Sequence, residues 1–143
     1  MYKRQVHGIY YEGAYLDFEF TSDKAETGVA LSLVISAEFR EVTLTQDTFQ
    51  VLVNGTAVKY KSGDITLDGS EYGDGYWDSG NAHKYTEVII NNIDIKEGEN
   101  VIRLYVNNSQ AMPTGTCAAM APIVDCIKLR SSSQLTMTVY KNS

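Results

Sequence analysis

Proline, cysteine and histidine are scarce in this chain of 143 residues, two of each, and there is one tryptophan. The histidines, His7 and His83, stand far apart, and neither belongs to a metal-binding spacing such as His-Glu-x-x-His. Cys-x-x-Cys pairs, a Gly-x-Ser-x-Gly elbow and a phosphate-binding P-loop are also missing. Those gaps argue against the commoner metal-, serine- and nucleotide-dependent enzymes. No cluster of lysine and arginine interrupts a net charge of −6, which argues against a nucleic-acid backbone as a partner. No apolar run approaches the roughly 18 residues of a membrane-spanning helix, and no membrane insertion is expected. No secretion signal opens the sequence, which leaves location open if the chain is a piece of something larger.

What is present is an ordinary globular composition, 43% hydrophobic and 21% charged, with ten tyrosines. A chain of this size makes one domain and buries about 68% of its unfolded surface. Strand periodicity dominates, with apolar residues at every second position. Leu16, Phe18 and Phe20 alternate with acids; Val29, Leu31, Leu33 and Ile35 alternate with small residues. Phe49, Val51 and Val53 run into Asn54-Gly55, a strong hairpin signal, with Ala57–Tyr60 as the return strand. Tyr85–Ile95, Val101–Val106, Ile123–Leu129 and Leu135–Tyr140 supply further strands. Glu97-Gly98-Glu99-Asn100 reads as a tight turn, because Gly98 tolerates positive φ and Asn100 can hydrogen-bond its own backbone. Short strands separated by Gly, Asn, Asp and Ser predict an all-β, mostly antiparallel jelly roll or β-sandwich.

The most unusual segment runs from Asp64 to Tyr85. It carries Asp64, Asp68, Glu71, Asp74 and Asp78, four glycines, and the rings of Tyr72, Tyr76, Trp77 and Tyr85. A pyranose stacks its C–H face on such rings while carboxylates and amides take its hydroxyls. Trp77, Tyr85 and then Tyr76 are the candidate stacking rings; Asp78, Asn81 and His83 are the candidate polar contacts. The alternative is that these rings fold back over the sandwich end and the acids are solvated. The acid spacing fits no loop with a defined calcium pattern. A pair of these carboxylates would suit a glycosidase, but a glycine-rich loop lacks the rigid support catalysis needs, so the chain is read as non-catalytic.

The turn Glu97-Gly98-Glu99-Asn100-Val101-Ile102-Arg103-Leu104 and the strand Val124-Asp125-Cys126-Ile127-Lys128-Leu129 resemble the C-terminal half of carbohydrate-binding modules of families six and thirty-five. Phe18–Ala25 with Val29–Ile35, the Thr48–Gly55 hairpin and Tyr85–Val88 resemble further stretches of the same modules. The resemblance implies a galactose-binding-like β-sandwich and a polysaccharide or glycan ligand. It also implies an extracellular or cell-surface location, and a place beside catalytic or surface domains of a larger bacterial protein such as a glycoside hydrolase. In those families an aspartate at the position of Asp125 helps hold a structural calcium with glutamates of the first strand. Those glutamates are not recognisable here, and Glu12 is not at an equivalent place, so an incomplete or empty calcium site is expected. The families also place a sugar-binding asparagine where this chain has Ile123, which cannot donate to a hydroxyl. Asn108, Asn107 or Gln110 would have to substitute, unless each is simply a turn residue. Tyr10 and Tyr11 either form a second aromatic wall or pack.

Cys117 and Cys126 are close enough in sequence to pair, and a closed loop of this size stabilises by about 2–3 kcal/mol. The other reading is two independent small core residues; an extracellular location favours the bridge. Met1-Tyr2-Lys3-Arg4-Gln5 reads as a translated sequencing-adapter scar or as a natural basic terminus. Under the first reading residues 6–143 are a single domain that lacks its opening strand. The function expected is non-catalytic carbohydrate binding. The rival is a structural or protein-binding spacer whose sugar site has decayed, which Ile123 favours.

Overall fold

A computed structural model describes residues 13–36, 42–59, 65–67, 86–107 and 122–137. They form ten strands: β1 (Tyr15–Ser22), β2 (Glu26–Ser36), β3 (Val42–Leu44), β4 (Phe49–Val53), β5 (Thr56–Val58), β6 (Ile65–Leu67), β7 (Thr86–Ile95), β8 (Gly98–Val106), β9 (Ile123–Arg130) and β10 (Leu135–Met137). Every pairing among them is antiparallel. One sheet has the order β10-β1-β8-β4-β5, a second β7-β2-β9, and β3 pairs with β6 apart from both.

The alternating side chains explain why two sheets face each other. In the five-stranded sheet Leu16, Leu104 and Val51 form one row across β1, β8 and β4, and Phe18, Ile102 and Val53 form the next. In the other sheet the rows are Ile90-Leu31-Leu129 and Val88-Leu33-Ile127. These residues meet in a single aliphatic core with Phe20 and Phe49. Period-two burial of β4 and β8 is the sandwich pattern the sequence implies.

Three irregularities keep that parity where the sequence breaks it. Each is one extra residue on one strand, a β-bulge. On β2 the slip lies between Glu26 and Val29 and includes Gly28 at φ 73°, a conformation that costs glycine little. On β7 it lies between Ile90 and Ile93, where Asn92 takes φ 63°. On β9 the extra residue is Asp125, because Val34 faces Cys126 while Ile35 faces Val124. Without that slip Val124 and Ile127, three positions apart, would point to opposite faces.

Two asparagines hold one end of the sandwich. Asn54 (φ 50°) and Gly55 (φ 87°) form the tight β4–β5 turn that Asn-Gly sequences favour. Asn100, 3% exposed, uses its whole carboxamide. Its Nδ2 donates to the carbonyls of Lys96 and Gly98 at 2.8 and 3.1 Å. Its Oδ1 accepts from Lys96 N–H at 3.0 Å and from Asn54 Nδ2 at 2.9 Å. Val101 N–H in turn donates to Asn54 Oδ1 at 2.9 Å. The expected local turn is therefore present, and its asparagine also grips a second turn 46 positions away.

A carboxylate performs the same service beside it. Glu26 accepts from the hydroxyls of Ser131, Ser132 and Ser133 and from the N–H groups of Ser132 and Ser133. Asp23 Oδ1 accepts from Gln134 N–H at 2.9 Å, and Asp23 N–H donates back to the Gln134 carbonyl. The β1–β2 and β9–β10 connections are thereby tied together. The serine donors, Ser131 first, lower the Glu26 pKa to about 2.

The sequence reading missed β3 and β6, which are three residues each and too short to show a period. The return strand is Thr56–Val58, shorter and one residue earlier than expected. The last strand closes at Met137 among the described residues, and residues 138–140 lie outside them. The adapter reading of Met1–Gln5 and the missing opening strand also fall outside the described residues.

Two outcomes follow. Asn100→Ala leaves buried carbonyls and N–H groups without partners and is expected to destabilise by about 3 kcal/mol in denaturant titrations. A loss indistinguishable from that of a surface substitution would show the network to be dispensable. For Glu26 the folded pKa lies below the ordinary 4.5, so its contribution is complete above that pH and declines as acid takes it towards 2. Glu26→Gln should therefore melt lower than the parent at neutral pH, with the gap closing on acidification towards pH 2. A gap that is constant or widens in acid would contradict this.

Candidate functional site

Residues 68–85 join β6 to β7, and residues 108–121 join β8 to β9. Their attachment points are neighbours. Thr86, the first residue of β7, pairs with Ile35, and Ile123, the first of β9, pairs with Ser36. Both connections thus start or finish at the end of the sandwich opposite the Asn54–Asn100 turns. The candidates Trp77, Tyr85, Tyr76, Asp78, Asn81, His83 and Asn108 lie outside the described residues, as do Tyr10, Tyr11, Glu12, Gln110 and Cys117.

The described candidates are Asn107, Asp125 and Cys126. Asn107 braces a turn: its N–H donates to the Thr48 carbonyl and its Nδ2 to the Asp47 carbonyl. The same turn is closed by Thr45 and Thr48, each accepting the other's N–H through its hydroxyl oxygen. This is the turn role that competed with sugar contact for Asn107. Asp125, the bulge residue, is half-buried. No group of three or more His, Cys, Asp or Glu side chains able to hold a metal occurs among the described residues. Cys126 is half-buried in β9, and its pairing with Cys117 falls outside the described residues.

Below the Asn54 and Asn100 turns lies an open depression of about 430 Å³, walled by Glu19, Lys96 and Glu99 with the two asparagines. The amides there are committed to one another and to backbone, which marks the hollow as a by-product of the turns.

The outer face of the five-stranded sheet carries a different arrangement that sequence reasoning missed. Tyr15 pairs with Tyr105 and Asp17 with Arg103 across β1 and β8; Gln50 and Leu52 flank them on β4. Arg103 donates from Nε and Nη2 to the two oxygens of Asp17 at 2.7 and 2.8 Å. Its guanidinium carbon lies 3.9 Å from the centre of the Tyr15 ring. The Asp17 hydrogen bond, above all, raises the Arg103 pKa further above its already high ordinary value. Tyr15 is nonetheless 52% exposed and the Arg103 side chain 41%. The signal was present as Tyr15-x-Asp17 and Arg103-x-Tyr105, two i, i+2 pairs on the polar side of two strands. Only the register brings them together. On the second sheet Ser32 donates to Glu87 at 2.7 Å, with Lys128 and Arg130 as nearby charges.

No protein-family model matches this chain, and no curated protein does. Solved structures do. A family 35 carbohydrate binding module from an environmental isolate is similar over 96% of this chain and 79% of its own, with 17% identity and a TM-score of 0.57. The CBM35 from Cellvibrio japonicus Abf62 is similar over 93% and 75%, with 13% identity and a TM-score of 0.55. Xyl-CBM35 in complex with a glucuronic acid containing disaccharide is similar over 99% and 82%, with 12% identity and a TM-score of 0.59. The shared element is the fold: an all-β, antiparallel jelly roll, as the sequence pattern implies.

If the metal site is incomplete, the melting temperature should be the same in millimolar Ca²⁺ and in EDTA. A rise in Ca²⁺ would mean that carboxylates outside the described residues complete a site with Asp125.

Proposed function

We propose that this chain is a non-catalytic carbohydrate-binding module. The observation that carries the reading is the nearly end-to-end likeness to solved carbohydrate-binding modules, which agrees with the motifs at Glu97–Leu104 and Val124–Leu129. One of those modules was solved with a glucuronic acid containing disaccharide, which makes a glycan the ligand class to test first. The proposed contacts are Trp77, Tyr85 and Tyr76 for stacking, with Asp78, Asn81, His83 and Asn108 for hydroxyls. Their segments attach at one end of the sandwich, around Ile35 and Ser36. Loops on a rigid sheet scaffold are a common place for such groups.

Binding of this kind needs no chemistry. Stacking and a few hydrogen bonds hold the ligand, and a linked domain would then meet its polysaccharide at raised local concentration. An extracellular or cell-surface parent protein is part of this proposal. The competing spacer reading has one feature in its favour, Ile123 at the entry of β9 where an asparagine would serve a sugar.

A glycan array spanning plant and host polysaccharides separates the two. The expected result is binding by the parent chain and at least a roughly tenfold loss in Trp77→Ala. A parent chain silent across the array would sink the carbohydrate reading and leave the spacer.

A further inference from the structure

We propose that Asn54-Gly55 is a latent deamidation site, kept shut by the Asn100 carboxamide, and that its opening unfastens this end of the sandwich. It is the only Asn-Gly pair in the chain. Deamidation begins when the backbone nitrogen of the following residue attacks the asparagine Cγ. Glycine leaves that nitrogen unshielded, and Gly55 is exposed, with open space where a side chain would stand. The turn itself calls for the vulnerable pair, since Asn54 at φ 50° and Gly55 at φ 87° are the residues it selects.

The chemistry needs only water. The Gly55 nitrogen bonds to Asn54 Cγ, its proton passes to the departing Nδ2, ammonia leaves, and a cyclic succinimide closes. Water then opens the ring at either carbonyl, which gives aspartate or isoaspartate at position 54. The open depression that Asn54 lines together with Asn100 admits that water.

What holds the site shut is on the same side chain. Nδ2 of Asn54 donates to Asn100 Oδ1, and its Oδ1 accepts from Val101 N–H, each at 2.9 Å. Asn54 N–H donates to the Val101 carbonyl as well, which pins the backbone. Ring closure requires Cγ to swing onto the Gly55 nitrogen, so both side-chain bonds must be given up before the atoms meet. Surrendering two such bonds slows the reaction roughly tenfold.

Neither product refits the network. A carboxylate only accepts, so an oxygen in place of Nδ2 would face Asn100 Oδ1, acceptor against acceptor. Asn100 cannot turn its amide round, because its Nδ2 is committed to the Lys96 and Gly98 carbonyls and its Oδ1 to Lys96 N–H. The new charge also joins Glu19 and Glu99, which face Lys96 in the wall of the depression. Isoaspartate adds a backbone carbon to the turn, which the Val53–Thr56 pairing has no room to absorb.

Ageing the full chain at mildly alkaline pH tests this, with conversion read by mass spectrometry in the tryptic peptide Glu41–Lys59. Asn54 should convert roughly tenfold faster in Asn100→Ala than in the parent. Val51→Ala weakens the core but keeps the amide pair, and its conversion should stay well below that of Asn100→Ala. Conversion of Asn100→Ala at the parent rate, or equal acceleration in both variants, overturns the lock. Asn54→Asp makes the product directly and serves where Asn100→Ala does not fold. It should melt below the parent at neutral pH, and the gap should narrow in acid, where a protonated carboxyl can donate to Asn100 Oδ1. A gap that is absent, or the same at every pH, overturns the claim that conversion unfastens the turns.

Discussion

The buried carboxamide of Asn100 is the interaction on which the sandwich geometry depends. The chain leaves the three-stranded sheet at Ile95 and enters the five-stranded one at Gly98, so Lys96 and Glu97 make the whole crossing. A crossing that short leaves backbone groups unpaired by either sheet, and a buried unpaired group costs about 1–3 kcal/mol. Asn100 satisfies those of Lys96 and Gly98 and spends its last acceptor on Asn54. One side chain thereby fixes the crossing between the two sheets and the start of β8. Because β8 lies between β1 and β4, its register passes to the rest of that sheet.

The neighbouring crossings are fixed by the same kind of chemistry. The β1–β2 and β9–β10 connections also change sheets, and Asp23 and Glu26 tie them to each other. Polar side chains therefore fasten one end of the molecule. At the other end the long connections 37–41, 68–85 and 108–121 attach to β2, β7, β8 and β9. The described part of that end is held by hydrogen bonds too, through Thr45, Thr48 and Asn107.

Much of this was legible in the residues and some was not. Alternation located eight of the ten strands, because burial on one face of a sheet forces a period of two. Asn54-Gly55 located a hairpin, since few other pairs adopt its two positive φ angles. The bulges were hidden: Ile90 and Ile93 share a face only because Asn91 and Asn92 absorb a slip, and no period announces that. Asp125 is also the extra residue of a bulge, a role in the ladder that no period in the sequence announces. The Arg103–Asp17–Tyr15 cluster was equally invisible. Its members are 86 positions apart in the chain, and only the β1–β8 register makes them neighbours. The loop candidates rest on composition, which can name groups suited to a sugar but not their arrangement.

The same alternation that builds the core also separates it from the outer face of the five-stranded sheet. Along β1 the inward positions Leu16, Phe18 and Phe20 are packed, while Tyr15, Asp17 and Glu19 point away from that packing. Along β8, Ile102, Leu104 and Val106 are buried, and Arg103 and Tyr105 occupy the opposite face. Substitutions on the outer set therefore leave the aliphatic rows untouched. A rigid pleated support also holds side chains at fixed spacing, which a glycine-rich loop does not. Adjacent strands lie about 4.8 Å apart and alternate residues on a strand about 7 Å apart.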